Sequence, residues 1–214
     1  MGKSDYILEQ LVGPISHSTL MSALSSYRHP EQTIKFLKST GKLKSIYRGW
    51  YYNPLHLNDF SRFHFANVLY GPSYVSATSA LSFYGLIPEK VFTTESITFK
   101  RGKKLNSKVG RFEYYFESEL TFHLGIKIHQ FTERISFLIA TPTKALYDYF
   151  IIANNLEFSG QQDMLDFLET DLRFDTDALK SFDIGLLEEL TLTKYKRRTI
   201  LILINLIKKL NNDK

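Results

Sequence analysis

Apolar positions recur along this chain with two spacings, and the changes from one to the other divide it into parts. Over the first 58 residues the spacing is helical. Ile7, Leu8 and Leu11 form one stripe, Leu20, Ala23 and Leu24 a second, Ile34 and Leu37 a third. Ser4 is placed to cap the first helix and Ser16 or Ser18 the second, and Gly13-Pro14 stops the first. Pro30 suits the first turn of the third helix, where its missing N–H costs nothing. Gly41 follows that helix, where a left-handed residue closes the end. Leu43–Tyr47 and Trp50–Tyr52 then read as two strands joined at Arg48-Gly49, with Ile15 as a short strand to pair with them. Helix, strand, helix, helix and hairpin in this order predict a winged helix-turn-helix over residues 1–58. Trp50 and Tyr52 are expected in its core, Asn53-Pro54 at its end, and Leu55–Asn58 as a linker.

Residues 59–158 mix the two spacings. Asp59 is expected to cap a helix from Phe60 to Tyr70. After the Gly71-Pro72 turn, Tyr74-Val75 is a short extended piece. Ser76 is expected to cap a helix with Ala77, Ala80, Leu81 and Tyr84 on one face, ended by Gly85 and Pro88. Ile97–Phe99 follows as an extended segment. In Arg111–Glu119, Phe112, Tyr114 and Phe116 alternate with Arg111, Glu113, Tyr115 and Glu117, which predicts a half-buried strand with a charged outer face. Ile126–His129 repeats the alternation. Ile135–Ala140 is almost wholly apolar, which suits a central strand covered on both sides. Thr141 is expected to cap a helix with Leu146, Tyr149, Phe150 and Ala153 inward. The implied unit is a mixed α/β domain with a small sheet.

From Ser159 the pattern is helical to the end, with stripes at Met164, Phe167 and Leu168, at Ala178, Leu179 and Phe182, and at Leu186, Leu187 and Leu190. The last helix, about Lys194 to Leu210, is apolar around most of its circumference after Arg198. Such a helix is buried in its own bundle or against a partner. The fold class is therefore α/β (α+β), in three parts: 1–58, 59–158 and 159–214.

Charge changes the picture more than composition does. The chain has 214 residues, 43% of them hydrophobic and 14% aromatic, so a packed core is available. Its net charge is +5. Residues 1–58 hold seven cations (Lys3, Arg28, Lys35, Lys38, Lys42, Lys44, Arg48) against three anions (Asp5, Glu9, Glu31). The segment 160–190 is acidic. A basic head fits an anionic partner, and an acidic tail stays off a phosphate backbone. On the third helix Gln32, Thr33, Lys35, Lys38 and Ser39 are left pointing outward, where amides and cations can meet base edges and phosphates in a major groove. Arg28 in the preceding turn, Lys42, Lys44 and Arg48 around the hairpin, and the hydroxyls of Ser18 and Thr19 complete the expected DNA-binding set. The competing roles are a solvated helix face for the lysines and simple capping for the hydroxyls. The cluster Lys100-Arg101-Gly102-Lys103-Lys104 reads as a solvated hairpin tip.

No catalytic constellation is found. The chain has no cysteine, so it has neither a disulfide framework nor a thiolate metal site. The six histidines (His17, His29, His56, His64, His123, His129) show no zinc spacing, and no phosphate-binding glycine loop or nucleophile elbow is present. Glu113, Glu117 and Glu119 on one strand face are what a metal-dependent nuclease would want, but without a nearby base they read as a solvated face. The expectation is a protein that is not an enzyme and needs no cofactor or metal. No signal peptide or membrane-spanning run is recognised, and a cytoplasmic location is expected.

Two phrases carry a resemblance. Tyr70–Glu89, YGPSYVSATSALSFYGLIPE, and Ala140–Asp148, ATPTKALYD, stand in this order downstream of the predicted winged head. The chain resembles the AbiEi family of antitoxins, which join an N-terminal winged helix-turn-helix to a larger antitoxin domain. Thr143 stands where that family usually has Glu, and the resemblance does not extend to 160–214. It implies a DNA-binding antitoxin of a type IV toxin–antitoxin system. Such a protein would repress its own operon and counteract a nucleotidyltransferase-like toxin, with direct contact between the two left open. The expected partner is double-stranded operator DNA in repeated half-sites, bound by two copies as a homodimer on DNA. The alternative is a winged-helix regulator whose middle domain senses a ligand or a protein.

Overall fold

The computed structural model describes residues 3–59, 61–193 and 195–212. The side chains of Ser4 and Asp59, expected as caps, and residues Phe60 and Lys194, expected as helix starts, lie outside that description. The architecture is α+β: two antiparallel or mixed sheets with helices packed against them.

The head opens with α1 (Lys3–Gln10), β1 (Ile15–Ser16), α2 (His17–Ala23) and α3 (Pro30–Ser39). Ser16 caps α2, its hydroxyl accepting the Thr19 N–H at 3.0 Å. Gly41 takes a φ of +74°, and the chain returns so that the Leu43 N–H donates to the Leu37 carbonyl at 3.0 Å. The hairpin β2 (Lys44–Tyr47) and β3 (Trp50–Tyr52) turns at Gly49, φ +73°. β3 is the middle strand of β1-β3-β2, with Tyr51 opposite both Ile15 and Ser45. Leu8, Ile15, Leu20, Leu24, Ile34, Leu37, Leu43 and Tyr51 form the head's core.

Trp50 and Tyr52 do not join that core. Neighbours on a strand face opposite sides, and here both sides of the hairpin are covered. Tyr51 points into the head. Ile46 on β2 belongs to the larger core of the body, with Trp50 and Tyr52 packed against it. The Trp50 ring meets Phe65 edge-on at 6.3 Å, and the Lys108 N–H donates to the Ile46 carbonyl at 3.2 Å. The expected linker is a tight, kinked helical turn at Pro54–Asp59. It is tied back to α1: Asn53 Nδ2 donates to the Leu8 carbonyl at 3.1 Å, and His56 Nε2 lies 3.0 Å from the Glu9 carbonyl.

In the body, α4 (Arg62–Leu69) starts at a Ser61 cap. The sheet has six strands, larger than expected: β4 (Tyr74–Val75), β5 (Thr93–Thr98), β6 (Lys103–Ser107), β7 (Gly110–Phe116), β8 (Ile126–Gln130) and β9 (Ser136–Ala140), in the order β6-β7-β5-β4-β9-β8. β5 and β7 are parallel, as are β4 and β9. Half of the expected cationic loop is the edge strand β6, whose sequence KKLNS buries only Leu105. Lysines on an edge strand discourage further pairing. β9, expected at the centre, lies next to the other edge, and its Leu138 is exposed opposite an exposed Ile128.

The alternation in β7 also breaks. Phe112 and Tyr114 are buried against α4, where the Tyr114 hydroxyl donates to the Ala66 carbonyl at 2.8 Å. Phe116 is exposed and Glu117 is buried instead. The strand ends at Phe116, and a donor-rich pocket of opposite charge, made by the Lys144 ammonium and the Tyr74 hydroxyl, draws the next side chain inward. After the short α6 (Glu119–Phe122), α7 (Pro142–Ile152) is capped by Thr141 as expected. α7 packs on α5 (Ala77–Phe83) and is buried on nearly every side. The helices α8 (Gln161–Thr170), α9 (Ile184–Leu190) and α10 (Arg197–Asn212) add Met164, Leu187, Leu203 and Ile207 to the same core that holds Tyr74 and Phe150. The apolar face of α10 is thus satisfied within the chain, and residues 159–212 share the core of the sheet.

Candidate nucleic-acid interface

With Ile34 and Leu37 inward, roughly 100° per residue places Gln32, Lys35, Phe36 and Ser39 on the far side of α3, flanked by Glu31 and Lys38. All six are exposed. Thr33 is half-buried, and its hydroxyl donates to the His29 carbonyl at 3.2 Å, so it belongs to the helix flank rather than the outer face. Phe36 is 58% exposed. The outward set read from the sequence did not include it.

Contacts within the head join this face to the start of α2 and to the hairpin turn. Lys38 Nζ sits 5.7 Å from the centre of the Tyr51 ring, and Tyr51 lies 6.2 Å from the His17 ring. The His17 N–H donates to the Gly49 carbonyl at 2.7 Å. Lys38, the first turn of α2 and Arg48-Gly49 therefore lie along one surface, with Arg28 exposed at the turn before α3 and Lys44 exposed on β2. Ser18 and Thr19 are exposed, but Ser16 Oγ lies 2.8 Å from Ser18 Oγ and 2.7 Å from Thr19 Oγ1. Ser16 has one proton, so at least one of these hydroxyls donates inward and at most one proton is left for a phosphate. Lys42 departs from the expected set. Its ammonium pairs with Asp5 of α1 at 2.7 Å, which neutralises it locally.

A second cluster lies inside the body, and the sequence pattern missed it. Lys144 Nζ lies 2.5 Å from Glu117 Oε1 and 2.9 Å from Asp148 Oδ1. The three residues are 0%, 6% and 1% exposed. The Tyr74 hydroxyl donates to Glu117 Oε2 at 2.8 Å and the Ser76 hydroxyl to Asp148 Oδ2 at 2.5 Å. Lys144 also stands over the Tyr147 ring at 4.5 Å. The two phrases behind the AbiEi resemblance thus meet here, Tyr74 and Ser76 from one, Lys144 and Asp148 from the other. Burial pushes the Asp148 carboxyl up to about 7; Lys144 opposes that rise and Glu117 adds to it. Burial also raises Tyr74 well above the usual phenol range, with both carboxylates contributing. Ser76 stands at the N-cap of α5, yet its hydroxyl serves Asp148. Glu95 caps the helix in its place, accepting from the Thr78 N–H at 3.0 Å and the Thr78 hydroxyl at 2.5 Å. Burial raises the Glu95 carboxyl as well. At i, i+4 on a helix, Lys144 and Asp148 read as an ordinary surface pair; only their burial sets them apart.

The three glutamates considered for a nuclease are dispersed. Glu113 accepts from the Tyr115 hydroxyl at 2.7 Å and pairs with Lys104 at 3.1 Å, Glu117 is inside, and Glu119 is exposed on α6. Among the described residues no group of three or more His, Cys, Asp or Glu side chains is arranged to hold a metal ion. No helix among them is long and apolar enough to cross a membrane. Comparison with protein-family models and with curated proteins found no match to the chain.

Proposed function

We propose that this chain is a DNA-binding regulator of the winged helix-turn-helix type, with α3 lying in the major groove. The observation that carries this is the outer face of α3, where Gln32, Lys35 and Phe36 are exposed together, continuous with Lys38, the start of α2 and the hairpin turn. Gln32 suits a bidentate contact to adenine N6 and N7, and Phe36 one turn on suits the methyl of thymine. Arg28, Lys35, Lys38, Lys44 and Arg48 supply the phosphate contacts. If all five engage, log affinity falls with log salt at a slope of about −4.5. Retention of a fragment of the protein's own promoter, measured against salt, is the test. Lys35→Ala with Lys38→Ala should flatten the slope by about 1.8. A salt-insensitive fragment, or an unchanged slope in the double variant, overturns the proposal.

On the resemblance stated above, the regulator is proposed to act as a type IV antitoxin that represses its own operon and counteracts a nucleotidyltransferase-like toxin. The meeting of the two resembling phrases at one buried cluster supports a shared architecture for the body. Co-expression with the product of the adjacent gene tests it: the full chain should restore growth, and so should the Lys35→Ala, Lys38→Ala variant, since the body is intact. A neighbour without toxicity favours the second role, a regulator with a sensing body, which the groove described next supports.

A further inference from the structure

Four large apolar side chains remain exposed around one groove in the body: Phe116 at the end of β7, Leu120 on α6, and Leu192 and Tyr195 between α9 and α10. The groove encloses about 580 Å³, within the range that holds a small organic ligand. Tyr115 forms one wall, and Glu117 and Tyr147 lie at the floor, where both touch Lys144. The charge behind that floor does not balance. Two buried carboxylates, Glu117 and Asp148, share one buried ammonium, and among the described residues no second cation pairs with either. Asp148 gives up its proton only above about pH 7, and from there the surplus negative charge under low-dielectric walls attracts a cation and repels an anion. The rings of Tyr115, Phe116 and Tyr195 offer the negative faces that attract alkylammonium groups.

We propose that this groove binds a small organic ammonium ion with an apolar body, its cationic end directed toward Glu117. The site does not depend on the DNA-binding head. The full-length protein is titrated by calorimetry at about pH 8.5, where Asp148 is ionised, with three probes of similar shape: 2-phenylethylammonium, the uncharged 2-phenylethanol and the anionic 3-phenylpropanoate. The ammonium should bind at least about tenfold tighter than the alcohol, and the propanoate weaker than both. Tyr195→Ala and Leu192→Ala alter exposed residues and should leave the circular dichroism spectrum unchanged while weakening ammonium binding about fivefold or more. Glu117→Gln should bring the ammonium to the affinity of the alcohol; if that variant fails to fold, the comparison of the three probes on the unaltered protein decides. Equal affinities for ammonium and alcohol, preference for the propanoate, no binding up to about 10 mM, or undiminished binding by Tyr195→Ala each overturn the proposal.

Discussion

Asp148→Asn replaces the surplus carboxylate of the buried cluster by an amide of nearly the same size. The amide oxygen can still accept from Lys144, and its NH₂ can donate to Ser76, whose hydroxyl accepts as readily as it donates. The folded protein holds the Asp148 proton up to about pH 7, against 3.8 for the ordinary group. Between those values the native state binds more protons than the unfolded chain, so stability falls as pH rises through the window and the loss is complete above about 7. At about 1.36 kcal/mol per unit the full loss is about 4 kcal/mol, and about 3 kcal/mol of it falls between pH 5 and pH 8. The asparagine variant has no such group. Its stability relative to the unaltered protein should therefore rise by about 3 kcal/mol from pH 5 to pH 8. Urea denaturation of both proteins at the two pH values reads this difference. Taking the difference removes Glu95, which burial shifts the same way, and Glu113, which Tyr115 and Lys104 hold low despite its partial burial. A difference that stays flat across pH, or grows in the opposite direction, would refute the assignment of the surplus charge to Asp148.

Lys144→Met should be far worse than Asp148→Asn, because it leaves two buried carboxylates without a cation; a loss of about 3–5 kcal/mol is expected by denaturation. Leu37→Ala, in the head's core, should cost about 2–5 kcal/mol, while Lys35→Ala on the outer face should change stability by less than about 0.5 kcal/mol. Replacing thymine by uracil in a selected operator duplex removes only the methyl group. The unaltered protein should lose up to about 1 kcal/mol of binding and Phe36→Ala nothing further, as read by gel-shift titration. Equal sensitivity in both proteins would remove Phe36 from base contact while leaving DNA binding itself standing.

Local signals were legible where one covered face is enough to decide an element. The stripes of α2 and α3, the glycines at 41 and 49, and the serine cap at 16 follow from chain geometry and hydrogen bonding within a few residues, and each is where it was expected. Expectations failed where a second layer covers what was assumed to be solvent. Trp50 and Tyr52 alternate with Tyr51 as any strand would, but the far side of their hairpin lies on the body. Glu117 continues the outward parity of β7, yet a lysine 27 residues further along the chain waits beneath it. β6 was missed for the opposite reason, since an edge strand needs little apolar sequence.

From the residues alone came the order of elements in the head, the outward helix face with its lysines and glutamine, and the absence of recognised catalytic spacings, because each depends on neighbours along the chain. Only the tertiary structure decided that Lys42 is neutralised by Asp5, that Phe36 is bare, and that Lys144 is shared by two buried carboxylates beside an open groove. Coulomb attraction and desolvation act through space, and the partners that set them lie as many as 37 residues apart in sequence.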